Sequence, residues 1–126
     1  MIEGRPAVAI VDDDPRILES LKNLLESAGY SAHTFSGAAA LLTSDHAFID
    51  CLITDIGMPG MDGFELQDAM KQSKPELPVF LITGRHEIAD QQRVGTKRIT
   101  GFFHKPFDAQ QLLSEVTHAL GKIDGG

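Results

Sequence analysis

Three short runs in this chain are almost entirely apolar, and each has the length of a strand rather than of a helix. They cover residues 7–11, 51–54 and 79–82. Runs of this kind are typical of strands that are buried on both faces of a parallel sheet. Two further runs are predicted to be strands: residues 31–35, whose polar side chains suit a sheet edge, and residues 101–103. The chain is therefore predicted to build a five-stranded sheet.

Helical periodicity fills most of the segments between these runs. Three helices are predicted to begin at an aspartate N-cap: Asp14, which Pro15 follows, Asp62, which has Glu65 in the capping-box position, and Asp108. The first helix ends at Gly29, and its apolar stripe comprises Ile17, Leu18, Leu21, Leu24, Leu25 and Ala28. A weaker helix covers about residues 37–43. Alternating strands and helices favour a parallel sheet with right-handed crossovers and helices on both faces.

The segment at residues 84–100 fits this alternation least well. It has few apolar residues, and Gly95 near its middle costs a helix about 1 kcal/mol relative to alanine. We expect a short or frayed helix here. The segment also carries a basic cluster, interpreted as a solvated face, which consists of Arg85, Arg93, Lys97 and Arg98.

The composition restricts the classes of function. A length of 126 residues suits one domain, and a net charge of −7 argues against nucleic-acid binding by this domain. No stretch approaches the roughly 18 consecutive apolar residues of a membrane span. Cys51, the single cysteine, lies in an apolar run and is expected to be a buried small hydrophobe. A reduced, cytoplasmic setting is therefore expected.

The two ends of the chain are set apart from the domain. Ile2-Glu3-Gly4-Arg5 spells the recognition sequence of the protease factor Xa, so residues 1–5 are interpreted as a cloning remnant. The domain is expected to cover residues 6–121, and residues 122–126 are interpreted as a tail or linker.

Chemically active side chains follow four of the predicted strands. The first strand ends in Asp12 and Asp13, the third in Asp55, the fourth in Thr83 and the fifth in Lys105. Ligands of open parallel sheets bind beyond the carboxyl ends of the strands, so these side chains converge if the first and third strands are neighbours. Carboxylates that close repel one another, and Mg²⁺, which prefers oxygen ligands, relieves this repulsion. The pattern predicts a phosphoryl group held between Mg²⁺ and a lysine.

Taken together, these residues resemble the receiver domain of two-component response regulators. The matching motifs are Asp12-Asp13, Asp55-Ile56-Gly57-Met58-Pro59-Gly60-Met61-Asp62-Gly63, Thr83 and Lys105-Pro106-Phe107. The Ile82-Thr83-Gly84 segment is most similar to receivers of the FixJ type. The resemblance extends from about Pro6 to Gly121 and implies a flavodoxin-like (βα)5 doubly wound sandwich with strand order 2-1-3-4-5.

The resemblance also implies a phosphorylation site that uses Mg²⁺. Asp55 would accept the phosphoryl group from the phosphohistidine of a sensor histidine kinase. Asp13 and Asp55 would bind Mg²⁺ directly, Asp12 would bind it through water, and the carbonyl oxygen of Gly57 would supply a third direct ligand. The domain would catalyse only its own phosphorylation and dephosphorylation.

The same resemblance implies how the phosphoryl group is held and sensed. Lys105 would neutralise one phosphoryl oxygen, helped by a cis Lys105-Pro106 bond, and Thr83 would hydrogen-bond to another. Movement of Thr83 would open space for rotation of Phe102. This rotation would alter an output surface that supports transcription regulation through an effector domain or a phosphorylation-dependent homodimer.

Two alternative functions stay open. Asp12-x-Asp14 is similar to the opening motif of haloacid-dehalogenase phosphatases, with Asp12 as the nucleophile, but Arg16 stands where that class carries a hydroxyl. A receiver that no longer cycles phosphate is the other alternative. It is kept open by Gly57, where receivers usually carry a larger side chain. Gly57 and Arg85 leave the lifetime of the phosphoryl group undecided.

Some of these residues also have plain structural interpretations. Asp14 is better explained as a helix cap than as a metal ligand. Phe102 and Phe103 lie on opposite faces of a strand, so one of them belongs to the core. His104 is expected to be a surface histidine that points away from Lys105.

Overall fold

The computed structural model describes residues 5–84 and 99–123, along which strands and helices alternate. The strands are β1 (Ala7–Val11), β2 (Ser31–Phe35), β3 (Cys51–Asp55), β4 (Val79–Thr83) and β5 (Gly101–His104). The helices are α1 (Pro15–Ser27), α2 (Ala38–Leu42), α3 (Gly63–Ser73) and α4 (Ala109–Ile123).

The five strands form one parallel sheet in the order β2-β1-β3-β4-β5. This confirms the predicted flavodoxin-like order, with the polar β2 at an edge and the apolar β1, β3 and β4 inside. Val11 of β1 pairs with Thr54 of β3, so Asp12 and Asp55 come next on adjacent strands. The strand order reverses between β1 and β3, which is where ligands bind in sheets of this kind.

Strands β3, β4 and β5 are each one residue longer than the hydropathy pattern predicted. Asp55, Thr83 and His104 are the added residues, and they stay in register because Asp55 pairs with Ile82 and Thr83 with His104. The ladder is built from backbone groups, so a polar side chain does not end it. The functional side chains therefore stand on the last strand residues rather than in the loops.

Side chains that alternate along the strands build two cores, one on each face of the sheet. Leu52 and Leu81 pack with α2 and α3, where Phe64 is fully buried. Ile53 and Phe80 pack on the opposite face with residues of α1 and α4. The helices thus cover both faces of the sheet, as predicted.

Helix α1 shows the predicted start and end. The Asp14 side chain accepts a hydrogen bond from the Arg16 amide, Pro15 occupies the first turn, and Gly29 has φ +97° just beyond the helix. Ala28, the last residue of the predicted apolar stripe, is not buried. Ala28 is the C-cap and is exposed, because the helix ends before its apolar stripe reaches that residue.

The other helices also have the expected starts. Asp62 and Glu65 form a reciprocal capping box at α3. The Asp108 carboxylate accepts hydrogen bonds from the amides of Gln110 and Gln111 at 2.9 and 3.3 Å. Helix α4 continues to Ile123, two residues past the expected domain boundary at 121.

Several predictions concern residues outside the described ranges. The helix predicted within residues 84–100 is one of them, since only the two ends of that segment are described. The others are the basic cluster that begins at Arg85, the cloning remnant apart from Arg5, and the last three residues of the tail. Among the residues that the structure describes, no helix is long and apolar enough to cross a membrane.

Replacing Asp62 tests whether the capping box stabilises α3. Asp62→Ala removes the acceptor of the Glu65 amide, so the free energy of unfolding is expected to fall by about 1 kcal/mol in urea denaturation. Asp62→Asn keeps an acceptor oxygen and should lose much less. Equal losses in the two variants would contradict this role.

Candidate phosphorylation site

Two carboxylates and one ammonium meet at the carboxyl edge of the sheet. The Lys105 Nζ atom lies 3.0 Å from Asp12 Oδ2 and 3.5 Å from Asp55 Oδ1. Asp12 is fully buried and Asp55 is 6% exposed, whereas the Lys105 side chain keeps a quarter of its surface accessible. The lysine therefore closes a mostly buried acidic pair on the side that faces solvent.

Strand alternation explains why these three side chains meet. Asp12 and Asp55 continue the positions of Ile10 and Ile53, which face the α1 and α4 side of the sheet. Lys105 follows β5, and its amide donates a hydrogen bond of 2.7 Å to the carbonyl of Thr83 at the end of β4. This bond holds the base of the lysine next to β4, from which its side chain extends to β3 and β1.

Asp13 adds a third carboxylate to the cluster. Oxygen atoms of Asp12, Asp13 and Asp55 all lie within 4.8 Å of one another. Asp13 is exposed, whereas Asp12 also accepts a hydrogen bond of 2.9 Å from the Asp14 amide. The cluster thus has two buried members that are held by their neighbours and one member at the surface.

Asp14 lies outside this cluster. Its carboxylate accepts hydrogen bonds from the Arg16 amide at 2.9 Å and from the Arg16 guanidinium at 3.2 Å. These contacts confirm that Asp14 acts as a helix cap.

Burial dominates the electrostatics of the two inner carboxylates. It raises the pKa of Asp12 and of Asp55, and the neighbouring charge of Asp12 raises the pKa of Asp55 further. Lys105 lowers both pKa values, but its contribution is smaller than that of burial. Both carboxyl groups are therefore harder to ionise than an aspartate in water.

The pKa of Lys105 is also raised, but for a lysine this shift favours the charged form. Burial alone lowers the pKa of its ammonium, but the hydrogen bond to Asp12 and the charge of Asp55 outweigh burial and raise the pKa above its usual value. The lysine is therefore a permanent cation at neutral pH. Its charge is available to any anion that enters beside Asp55.

The donor set fits a divalent cation that prefers oxygen. Among the described residues, three carboxylates within 4.8 Å face the single ammonium of Lys105, so a divalent ion would relieve the repulsion that Lys105 leaves. Carboxylate oxygens on an edge open to water are typical ligands of Mg²⁺. Gly57, whose carbonyl was predicted as a further ligand, is exposed two residues after Asp55.

Thr83 and Phe102 lie on the face of the sheet opposite to the face of Asp12 and Asp55. Thr83 is fully buried at the end of β4 and follows the alternation of Leu81, which faces α3. Phe102 is half-buried and packs against the same core. Phe103 packs between Phe80 and Phe107 in the opposite core, which confirms that one of the two neighbouring phenylalanines belongs to the α1 and α4 side.

The prediction that His104 is a surface histidine is wrong. The residue is half-buried, and its ring packs edge-on against Phe102 with 4.9 Å between ring centroids. The two residues are separated by one position in β5, so they share a face and come into contact. His104 does point away from Lys105, as the alternation predicted.

Two further predictions from the sequence are confirmed. The Lys105-Pro106 peptide bond is cis. Cys51 is fully buried, and burial raises the pKa of its thiol, which keeps the sulfur protonated and unreactive.

No role was predicted from the sequence for two residues that contact Asp55, although Gly63 ends one of the matching motifs. Thr54 is fully buried, and its hydroxyl donates a hydrogen bond of 3.0 Å to the carbonyl oxygen of Asp55. Gly63, at the start of α3, lies so close to the Asp55 carbonyl that a Cβ atom there would overlap it. A hydroxyl within an apolar run was the only signal for Thr54, whereas the contact of Gly63 depends on tertiary structure.

Comparison with known proteins identifies the family of this chain. The model of the response regulator receiver domain matches residues 8–117. The chain belongs to this family. The receiver is 32% identical over 121 residues to the response regulator protein TodT of Pseudomonas putida, covering 95% of this chain and 53% of the relative. It is 36% identical over 112 residues to the heme response regulator HssR of Staphylococcus epidermidis, covering 88% and 50%.

Solved structures agree with this assignment. A CheY-like response regulator receiver domain from Methanospirillum hungatei superposes with a TM-score of 0.89 at 25% identity, covering 97% of this chain and 98% of the other. The receiver spans about half the length of the curated relatives it matches. The chain therefore shares its fold with the solved receiver and its domain family with the response regulators.

Replacing Asp55 tests the electrostatic description of the site. Because folding raises the pKa of Asp55, the folded state binds more protons than the unfolded state at pH values above about 4. Stability of the wild type is therefore lost as the pH rises through this window. Asp55→Asn removes this loss, so in Mg²⁺-free buffer its advantage in unfolding free energy should grow from pH 4 to pH 7.

Denaturation at several pH values measures this difference. Glu76→Gln is the matched control because Glu76 is an exposed carboxylate at the amino end of the sheet. A pH-independent difference between Asp55→Asn and the wild type would contradict the description.

Proposed function

We propose that Asp55 accepts a phosphoryl group from the phosphohistidine of a sensor histidine kinase. The observation that carries this proposal is the position of Lys105 Nζ between Asp12 and Asp55, beside an acidic cluster that fits Mg²⁺. Asp55 is nearly buried but reaches the carboxyl edge, so its carboxylate can act as a nucleophile towards a group that enters from outside.

The proposed transfer forms one bond to phosphorus and breaks another. A carboxylate oxygen of Asp55 attacks phosphorus, the bond between phosphorus and the histidine nitrogen breaks, and the released electron pair stays on the imidazole, which takes up a proton. Asp55 becomes an acyl phosphate. When bound, Mg²⁺ would neutralise negative charge on the phosphoryl oxygens, held by Asp12, Asp13, Asp55 and the carbonyl of Gly57.

Lys105 would stabilise the phosphoryl group electrostatically. Its ammonium stays charged and already lies 3.5 Å from Asp55, so it needs little reorganisation to contact a phosphoryl oxygen. A charge placed in advance where negative charge develops is the arrangement that accelerates phosphoryl transfer. Thr83 would donate a hydrogen bond to a second oxygen.

The response to phosphorylation would pass through Thr83 and Phe102. Both belong to the face of the sheet that packs with α3, and Phe102 lies on the edge strand β5. Movement of Thr83 towards the phosphoryl group would change the packing of Phe102 and the surface around β5. We propose that an effector domain or a second copy of this chain reads that surface and that the output is transcription regulation.

The haloacid-dehalogenase alternative receives less support from the geometry. That chemistry needs Asp14 as a partner of Asp12, but the Asp14 carboxylate is bound by the Arg16 amide and guanidinium. A receiver that does not cycle phosphate lacks a supporting observation, because the acidic cluster and Lys105 are both in place.

Mapping the phosphorylated residue tests the function. The purified chain is incubated with Mg²⁺ and acetyl phosphate, a small acyl-phosphate donor, and quenched in acid. We expect intact mass to rise by one phosphoryl group and borohydride trapping to label Asp55. Asp55→Asn should abolish the label, whereas Asp14→Asn, which keeps an N-cap oxygen, should retain it.

The other outcomes are equally informative. A label on Asp12 would support the phosphatase alternative, and no label on the wild type would support a receiver that does not cycle phosphate.

Thermal denaturation with Mg²⁺ tests the metal-binding part of the proposal. Ligand binding stabilises the folded state, by about 1.4 kcal/mol at a tenfold excess over the dissociation constant. We expect Mg²⁺ to raise the Tm of the wild type and Asp13→Asn to weaken Mg²⁺ affinity by at least about tenfold. Asp14→Asn is the control from the same loop. An equal response of both variants would contradict the assignment of Asp13.

A further inference from the structure

We propose that Thr54 is a positioning residue for Asp55 and that Gly63 acts with it, the two residues forming a seat for the Asp55 backbone. This inference rests on the proposed function, because it concerns how the acceptor carboxylate is aimed. Neither residue contacts the phosphoryl group in the proposed reaction. Both act on the backbone of Asp55 instead.

The hydroxyl of Thr54 is the first part of this seat. Thr54 is fully buried in β3, in register with two apolar residues, Val11 of β1 and Leu81 of β4. A buried hydroxyl without a partner costs free energy, so its hydrogen bond is a specific feature of the position. That bond, 3.0 Å long, ends on the carbonyl oxygen of Asp55.

The start of α3 forms the second part of the seat. A Cβ atom on Gly63 would overlap the Asp55 carbonyl oxygen and lie 2.9 Å from the Cα of Ile56. The Gly63 amide donates a hydrogen bond of 3.0 Å to the Ile56 carbonyl. The absence of a side chain therefore allows the helix to contact the backbone that carries the acceptor.

The remaining backbone contacts fix the same segment from β4. The Ile56 amide donates a hydrogen bond of 2.9 Å to the carbonyl of Ile82, and Asp55 is in register with Ile82. The peptide plane between Asp55 and Ile56 is thus held by Thr54, Gly63 and β4. Rotation of this plane would turn the Cα–Cβ bond of Asp55 and move its carboxylate away from Lys105.

The consequence for the reaction is one of geometry. Phosphoryl transfer depends on alignment of the attacking oxygen, and a displacement of about 1 Å can cost on the order of a hundredfold in rate. A positioning residue should therefore affect the maximal rate of phosphorylation while leaving binding of the donor and of Mg²⁺ unchanged.

Thr54→Val tests this role because it exchanges the hydroxyl for a methyl group of similar size. The full chain is phosphorylated with acetyl phosphate over a range of concentrations, at saturating Mg²⁺. We expect the maximal rate of Thr54→Val to fall about tenfold, with the half-saturating donor concentration and the Mg²⁺ affinity unchanged. Thr54→Ser restores the hydroxyl and should recover the rate to within about twofold.

Two controls separate positioning from stability. Ile53→Val lowers stability in the same strand without touching the hydroxyl, and its maximal rate should equal that of the wild type. In the unphosphorylated protein, the ¹³C resonance of the Asp55 carbonyl should move upfield in Thr54→Val and not in Thr54→Ser, because a hydrogen bond is lost in the first only.

The outcomes distinguish this inference from the proposed function. Failure of the wild type to incorporate phosphate at Asp55 would overturn both. A labelled wild type together with an unchanged rate in Thr54→Val, or an equal loss in Thr54→Val and Thr54→Ser, would overturn the positioning role alone. Gly63→Ala should lower the maximal rate in the same direction, and a wild-type rate in this variant would remove Gly63 from the seat.

Discussion

Two buried carboxylates share one ammonium, and the site depends on this imbalance of charge. Burial keeps the pKa values of Asp12 and Asp55 raised, while Lys105 compensates only part of their charge. The sheet stabilises the arrangement because its apolar cores on both faces offset the cost of placing charges at its edge. The remaining negative charge makes the site receptive to a divalent cation.

Features determined by local chemistry could be predicted from the sequence. The apolar runs indicated the inner strands, and aspartate followed by proline indicated the start of α1. The proximity of Asp12, Asp55 and Lys105 could also be predicted. The ends of the strands, and the alternation of side chains between the two faces, are properties of the backbone. The family to which these motifs pointed agreed with the family model, which matches residues 8–117.

Features that depend on distant contacts could not be predicted. The hydropathy pattern placed the ends of β3, β4 and β5 one residue too early. Backbone hydrogen bonds between strands do not depend on the polarity of the side chains, so the strands continue past the last apolar residue. His104 was expected at the surface, but it packs on Phe102. The approach of Gly63 to the Asp55 carbonyl depends on where α3 begins relative to β3, which no local pattern records.

The contact between Asp12 and Lys105 joins residues 93 positions apart, from strands at separate places in the sheet. A chain growing on the ribosome contains Asp12, Asp13 and Asp55 long before it contains Lys105. The nascent protein therefore has the three carboxylates without the ammonium that lies between two of them. The cluster acquires this cation only when the fifth strand has joined the sheet.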